Sequence, residues 1–156
     1  QVPVKILRPC LVYGPGLDAQ TDHRVMAQFL QQAMHGQPIA LRDEGSALRA
    51  YCYITDAMVM FWKIFFSAQN GEAFNIGNPS EEISIRGLAE LTHALCGLSA
   101  APLIIPDAVR TPALASAPQR VCPDMRKVAR AFQYEAHVPL REGLTRTLLW
   151  NRRKHV

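Results

Sequence analysis

Apolar and polar positions along this chain follow two alternating periods. Residues 2–7 form a β-branched, largely apolar run of strand length, which predicts a strand buried on both faces as in a parallel sheet. Arg8-Pro9 ends it, and Tyr13-Gly14-Pro15-Gly16 reads as a turn. From 21 to 35 the period becomes helical: Val25, Met26, Phe29, Leu30, Ala33 and Met34 share one face, with Thr21 or Asp22 placed to cap and Gly36 to stop the helix. Short strands are expected at 38–41 and 50–54, joined by a polar turn through Gly45. Thr55-Asp56 is placed to cap a second helix over 57–68, apolar almost all round and therefore expected to be buried. Asn70-Gly71 turns the chain into a strand at 73–76. Ser84 caps a third helix bearing Ile85, Leu88, Leu91 and Leu95, with Gly97 as its left-handed stop. Residues 98–120, rich in Ala, Pro and Ser, read as a long loop with one strand at 103–105. Asp124 caps a short helix to Phe132, and Pro139-Leu140 opens a last one ending near Trp150. Alternating strands and helices with no internal repeat or low-complexity block predict an α/β fold and a single unit over residues 1–156.

Composition narrows the function. With 156 residues, 49% apolar and 19% charged, the chain is long enough to bury roughly two-thirds of its unfolded surface. No run approaches the ~18 uncharged apolar residues of a membrane span, so no membrane partner is expected. The segment Gln1-Val2-Pro3-Val4-Lys5 has no signal-peptide pattern, and the cytoplasm is the expected compartment. Cys10, Cys52, Cys96 and Cys122 lie far apart, and the histidines are scattered, which gives no metal-ligand spacing. The net charge of +4 is spread along the chain, apart from the run Arg152-Arg153-Lys154-His155 that reads as a solvated tail, so a nucleic-acid partner is not expected. Arginine surplus also suits a diphosphate ligand.

Four segments then carry a resemblance when taken in order. The first is Ile6-Leu7-Arg8-Pro9-Cys10-Leu11-Val12-Tyr13-Gly14-Pro15-Gly16. The second is Pro38-Ile39-Ala40-Leu41 leading to Arg49-Ala50-Tyr51-Cys52-Tyr53-Ile54-Thr55-Asp56-Ala57, and the third Gly71-Glu72-Ala73-Phe74-Asn75-Ile76-Gly77-Asn78-Pro79. The last joins Pro123-Asp124-Met125-Arg126-Lys127-Val128 to Val138-Pro139-Leu140-Arg141-Glu142-Gly143-Leu144. Each alone is weak; at this spacing across nearly the whole chain they resemble the C-terminal, substrate-binding part of NAD-dependent epimerases and dehydratases of the extended short-chain dehydrogenase family, nearest the UDP-glucuronate decarboxylase and dTDP-glucose 4,6-dehydratase branch. The resemblance implies one late parallel strand of a Rossmann-type sheet plus a small α/β substrate-binding subdomain, with a UDP- or dTDP-sugar as ligand and NAD as the parent's cofactor.

It also implies roles for particular residues. Arg49 matches the arginine that holds the diphosphate, as a planar fork suits phosphate. Arg24 matches one that faces the sugar and in decarboxylating relatives is a candidate proton donor. Tyr13 would line the cleft, Ile39 and Leu41 would pass the base, and Arg120 stands one position before the place where relatives carry a phosphate-side arginine, here Val121. Arg8 and Pro9 match positions close to the nicotinamide, at a strand end where open α/β sheets place ligands. Plainer readings stand beside these: a strand-edge charge for Arg49, a solvated helix residue for Arg24, a turn aromatic for Tyr13, core side chains for Ile39 and Leu41.

The parent chemistry needs Tyr-x-x-x-Lys and a glycine-rich cofactor turn, and the sequence contains neither. The chain alone is therefore expected to be inactive, with no catalytic residue beyond the candidate Arg24. Leu11 replaces a substrate-binding asparagine of many relatives, Ala115-Ser116-Ala117 stands where acidic residues are frequent, and Gly87 takes the place of a capping glutamate. Two readings follow. One is a part of a nucleotide-sugar enzyme lacking its N-terminal NAD-binding Rossmann domain, completed by that domain or by a homodimer partner. The other is a non-catalytic nucleotide-sugar-binding or protein-interaction module. The first predicts an unpaired edge and exposed apolar surface beside residues 2–7.

Overall fold

Two apolar stretches far apart in sequence meet as parallel strands: β1 (Ile6–Pro9) pairs with β6 (Ala73–Ile76), from Ile6 opposite Ala73 to Pro9 opposite Ile76. The computed structural model describes residues 2–98, 103–104 and 117–154. Parallel partners require a long crossover, and its last helix, α2 (Ile54–Phe65), returns over the pair, placing Met60 and Ile64 with Phe74 and Ile76 in one core cluster. A short helix, α4 (Arg126–Phe132), adds Val128 to that cluster, and Phe132 meets Phe74 edge-on with ring centroids 5.2 Å apart. Side chains alternate across a strand, so Leu7, packed against that cluster, shares the covered face while Ile6 and Arg8 point to the other. That face is open: Ile6 is 47% exposed, and Val2 in the segment leading to the strand is 83% exposed. Among the described residues β1 has β6 as its one strand neighbour.

The second core lies beyond the ends of these strands. β2 (Val12–Tyr13) pairs in parallel with β5 (Cys52–Tyr53), and β3 (Ala40–Leu41) with β8 (Leu103–Ile104). A three-stranded sheet sets β4 (Leu48–Ala50) between antiparallel β7 (Glu82–Ser84) and parallel β9 (Arg120–Val121). Helices α1 (Val25–Met34), α3 (Ile85–Leu95) and α5 (Leu140–Lys154) enclose the cluster around Phe29, Leu30, Ile39, Leu88, Leu144 and Leu148. Buried polar groups tie the layers. Asp56, on the first turn of α2, accepts from the Tyr134 hydroxyl at 2.8 Å and from the backbone N–H of His137 and Val138 at 3.1 and 2.9 Å. Asn151 of α5 accepts from the Ala19 N–H and donates to the Leu17 carbonyl, both at 3.0 Å, which holds the 17–19 turn against the helix.

The α/β class and parallel pairing match the expectation, as do β6 and α3. Ser84 Oγ accepts from the Gly87 N–H at 3.0 Å, and Gly97 ends the helix at φ +74°. Other expectations need correction. β1 begins at Ile6 because its partner begins at Ala73; the 2–5 segment runs past the 70–71 turn, where Gly71 N–H reaches the Val4 carbonyl. The expected 50–54 strand divides between β4 and β5, which belong to different sheets. Neither Thr21 nor Asp22 caps α1: Asp22 instead closes a turn on the Arg24 N–H, and the helix starts at Val25. α2 starts at Ile54, ahead of the expected Thr55-Asp56 cap, and is buried along one side only, with Met58, Val59, Trp62 and Phe65 exposed and Phe66, just past its end, 76% exposed. α5 runs on to Lys154, whose ammonium pairs with Asp18. The expected 103–105 strand covers Leu103–Ile104, while residues 99–102 and 105–116, with Ala115 and Ser116, lie outside the described residues, as does His155. No described helix is long and apolar enough to cross a membrane.

Candidate functional site

A cleft of about 450 Å³ opens between the head of α1, strands β3 and β4, and the 117–119 segment. That volume lies within the range of ligand pockets, roughly 300–1,000 Å³. Its floor is apolar, from Leu17, Met26, Phe29 and Leu41, and its rim carries three arginines, Arg24, Arg42 and Arg49, together with His23 and Asp43. Apolar floor and cationic rim together suit a ligand with a flat or carbon-rich body and anionic groups.

β4 sets Arg49. The residue lies opposite Ile83 on one side and Val121 on the other, so its backbone is fixed from both flanks. Its side chain is half-buried, donates from Nη1 to the Leu48 carbonyl at 2.8 Å, and forms no ion pair among the described residues. Tyr51 follows two positions later, on the same side of the extended chain. It lines the cleft, nearly buried, and burial pushes its phenol up to about 12, with the Arg49 charge acting in the opposite sense. Tyr51 was not among the expected site residues, although its i+2 spacing from Arg49 was a usable signal. Arg42, Asp43 and His23 also line the cleft and lacked any such pattern.

Arg24 stands at the N-cap of α1 with its guanidinium in the fork of Asp22 and Nη1 donating to the Val12 carbonyl at 3.2 Å. The Asp22 hydrogen bonds hold the Arg24 pKa above its ordinary value, which opposes release of a proton from this side chain. Tyr13 lines the cleft with its ring alone. Its hydroxyl donates to the Leu140 carbonyl at 3.3 Å, and burial first, then the nearby Glu81 carboxylate, raise its pKa well above the ordinary phenol value. The tight seat explains Gly143, where a Cβ would overlap the Tyr13 hydroxyl.

Leu41 lies in the cleft floor, but Ile39 is fully buried in the core and its N–H is spent on His93 Nε2 at 3.0 Å. The neighbouring Ala40 N–H donates to Gln32 Oε1 at 3.3 Å, so the amides of both Ile39 and Ala40 are engaged within the fold. Arg120 is likewise drawn away. It is exposed and holds Glu82 through Nε–Oε1 at 2.7 Å and Nη2–Oε2 at 3.1 Å, while its neighbour Gln119 reaches the cleft. Arg8 and Pro9 are exposed at the C-terminal end of β1, outside the cleft lining. Leu11, in the cleft wall, has φ +45°, a left-handed conformation that asparagine tolerates better than leucine. Among the described residues no His, Cys, Asp or Glu group is arranged to hold a metal, and the four cysteines are unpaired.

Residues 1–77 match the family described as NAD dependent epimerase/dehydratase. The chain carries a domain of this family. UDP-glucuronic acid decarboxylase 1 of Xenopus tropicalis is 30% identical over 153 residues, covering 98% of this chain and 34% of that protein. A UDP-N-acetyl-alpha-D-glucosaminuronate decarboxylase of Bacillus cytotoxicus is 28% identical, with 97% and 47% covered. Among solved structures, a UDP-glucose 4-epimerase of Thermotoga maritima with UDP-glucose superposes at a TM-score of 0.85 and 23% identity, over 99% of this chain and 48% of that one. A dTDP-glucose 4,6-dehydratase of Bacillus anthracis in complex with NAD gives 0.81 at 20% identity, with 98% and 46% covered. The chain thus has the fold of part of a Rossmann-type short-chain dehydrogenase, and spans half or less of the length of these relatives.

Proposed function

We propose that this chain is the nucleotide-sugar-binding part of an NAD-dependent epimerase, dehydratase or decarboxylase, and that the cleft beside α1 holds the ligand. The observation that carries this reading is the cleft itself: Arg24, Leu41, Arg49 and Tyr51, from three separate stretches of sequence, line one concavity. In this reading Arg49, fixed on β4 from both flanks and without a carboxylate partner among the described residues, binds the diphosphate; Arg24 faces the sugar; Leu41 lies under the base; and the Tyr13 ring closes one wall. UDP is the favoured nucleotide, since the two decarboxylases above and the Thermotoga maritima epimerase are named for UDP-sugars.

NAD, when bound to the complete enzyme, supplies the hydride acceptor for sugar oxidation. The exposed Arg8 and Pro9 at the end of β1 fit a contact to its nicotinamide. The sequence holds no glycine-rich turn or Tyr-x-x-x-Lys, so the dinucleotide cradle and the acid–base tyrosine come from an N-terminal Rossmann domain on the same or a partner chain. The open face of β1 and its edge, unpaired among the described residues, suit that domain, and favour the enzyme part over a free-standing binding module. Unpaired cysteines suit a reducing compartment, and we place the chain in the cytoplasm.

Titration calorimetry of this chain with UDP and UDP-glucuronic acid tests the assignment. One site per chain is expected, and Arg49→Ala should weaken UDP by about tenfold, the loss of a charge-assisted phosphate contact. Unaltered affinity in Arg49→Ala would remove Arg49 from the diphosphate role.

A further inference from the structure

Arg24 enters the cleft already holding a carboxylate. Its Nε lies 3.0 and 2.9 Å from Asp22 Oδ1 and Oδ2, and Nη2 lies 2.5 Å from Oδ2. This is the two-oxygen, fork-on-fork geometry by which a guanidinium binds any carboxylate side-on. The remaining Nη1 donates to the Val12 carbonyl at 3.2 Å. Asp22 is itself fixed by the turn that precedes α1: its N–H donates to the Asp18 carbonyl at 2.9 Å, and its Oδ1 accepts from the Arg24 N–H at 2.8 Å. The arginine hydrogen bonds keep the Asp22 carboxyl below the usual carboxylate range, so it is ionised at neutral pH.

The pair is neutral overall and partly solvated, with the Arg24 side chain 57% exposed. An ion pair in such a setting is weak and readily exchanged. A neutral sugar in the cleft leaves it closed. A sugar bearing a carboxylate finds its natural partner, the Arg24 fork, filled by an internal group of the same chemistry.

We propose that Asp22 is a resident competitor for the carboxylate of a uronate sugar at Arg24, lowering uronate affinity and reclosing on Arg24 once the ligand no longer carries that charge. The proposal rests on the reading of the cleft as a nucleotide-sugar site. It assigns Asp22 a specificity role that the sequence alone presents as a helix cap. Asp22 is a positioning residue here, acting through Arg24.

The test is a double-mutant cycle read by titration calorimetry, using the wild-type chain, Asp22→Asn, Arg24→Gln and the double variant, each with UDP, UDP-glucose and UDP-glucuronic acid. Asparagine keeps the oxygen that accepts the Arg24 N–H, so the turn is retained. Asp22→Asn should tighten UDP-glucuronic acid by about two- to fivefold relative to UDP-glucose, the worth of an exposed ion pair. The relative gain should vanish when Arg24 is glutamine. Equal tightening of all three ligands would mean that Asp22 acts only as a nearby negative charge, and weaker UDP-glucuronic acid binding would make it a direct support; either overturns the proposal. If UDP binds and the uronate-to-glucose ratio stays fixed, competition fails while the nucleotide-sugar reading stands. If wild type binds no UDP, the cleft reading fails and this proposal with it.

Discussion

At the scale of single residues, the cleft is shaped as much by groups turned away from it as by those turned in. Tyr13 lends a ring to the wall while its hydroxyl is held by α5, and Ile39 gives its amide to His93. Resemblance alone could place these residues near a ligand but could not say where their polar atoms point, because that depends on contacts over a hundred residues away in the case of Tyr13 and Leu140. Gly143 is the sharpest consequence. A methyl group there would overlap the Tyr13 hydroxyl and press on Tyr53 Cδ2 at 2.8 Å. Gly143→Ala should therefore cost about 1–3 kcal/mol of stability, the range for overpacking a filled interior. Urea unfolding of the two proteins checks it, and a change below a few tenths would mean that α5 shifts freely.

Elements were legible in the sequence where one local signal decided them. α3 has its capping serine, its apolar stripe and its glycine stop, and appears with the expected bounds. Ser84→Ala should lower stability by about 1 kcal/mol, the typical worth of an N-cap, read as a shift in the denaturation midpoint at constant slope. α1 and α2 were misplaced at their starts because Asp22 and Asp56 resemble caps yet serve other partners, one an arginine and the other a loop more than seventy residues on. The composition of α2 suggested complete burial; only the line of Asp56, Ala57, Met60 and Ile64 is buried, and composition cannot count the neighbours that a helix will have. In the site, Arg49 was legible through its motif and Tyr51 only through alternation, whereas Arg42 and His23 reach the rim through turns that carry no pattern.

On the scale of the whole molecule, the two cores differ in completeness. The core beneath the cleft is enclosed by three helices, whereas the β1–β6 pair is covered on one face and open on the other. An apolar strand with an unpaired edge is a template for association. The isolated chain should self-associate with rising concentration, and Ile6→Lys should shift it toward monomer in sedimentation velocity; a strictly monomeric wild type would argue that the open face needs no cover. The central claim concerns the other core, that its cleft binds a nucleotide diphosphate. An amide NMR titration of the chain with UDP addresses it directly. Shifts should concentrate at the head of α1, at Leu41, and at Arg49 and Tyr51, all bordering the cleft. Shifts confined to the exposed basic turn of Arg126, Lys127 and Arg130, or none at millimolar UDP, would contradict it.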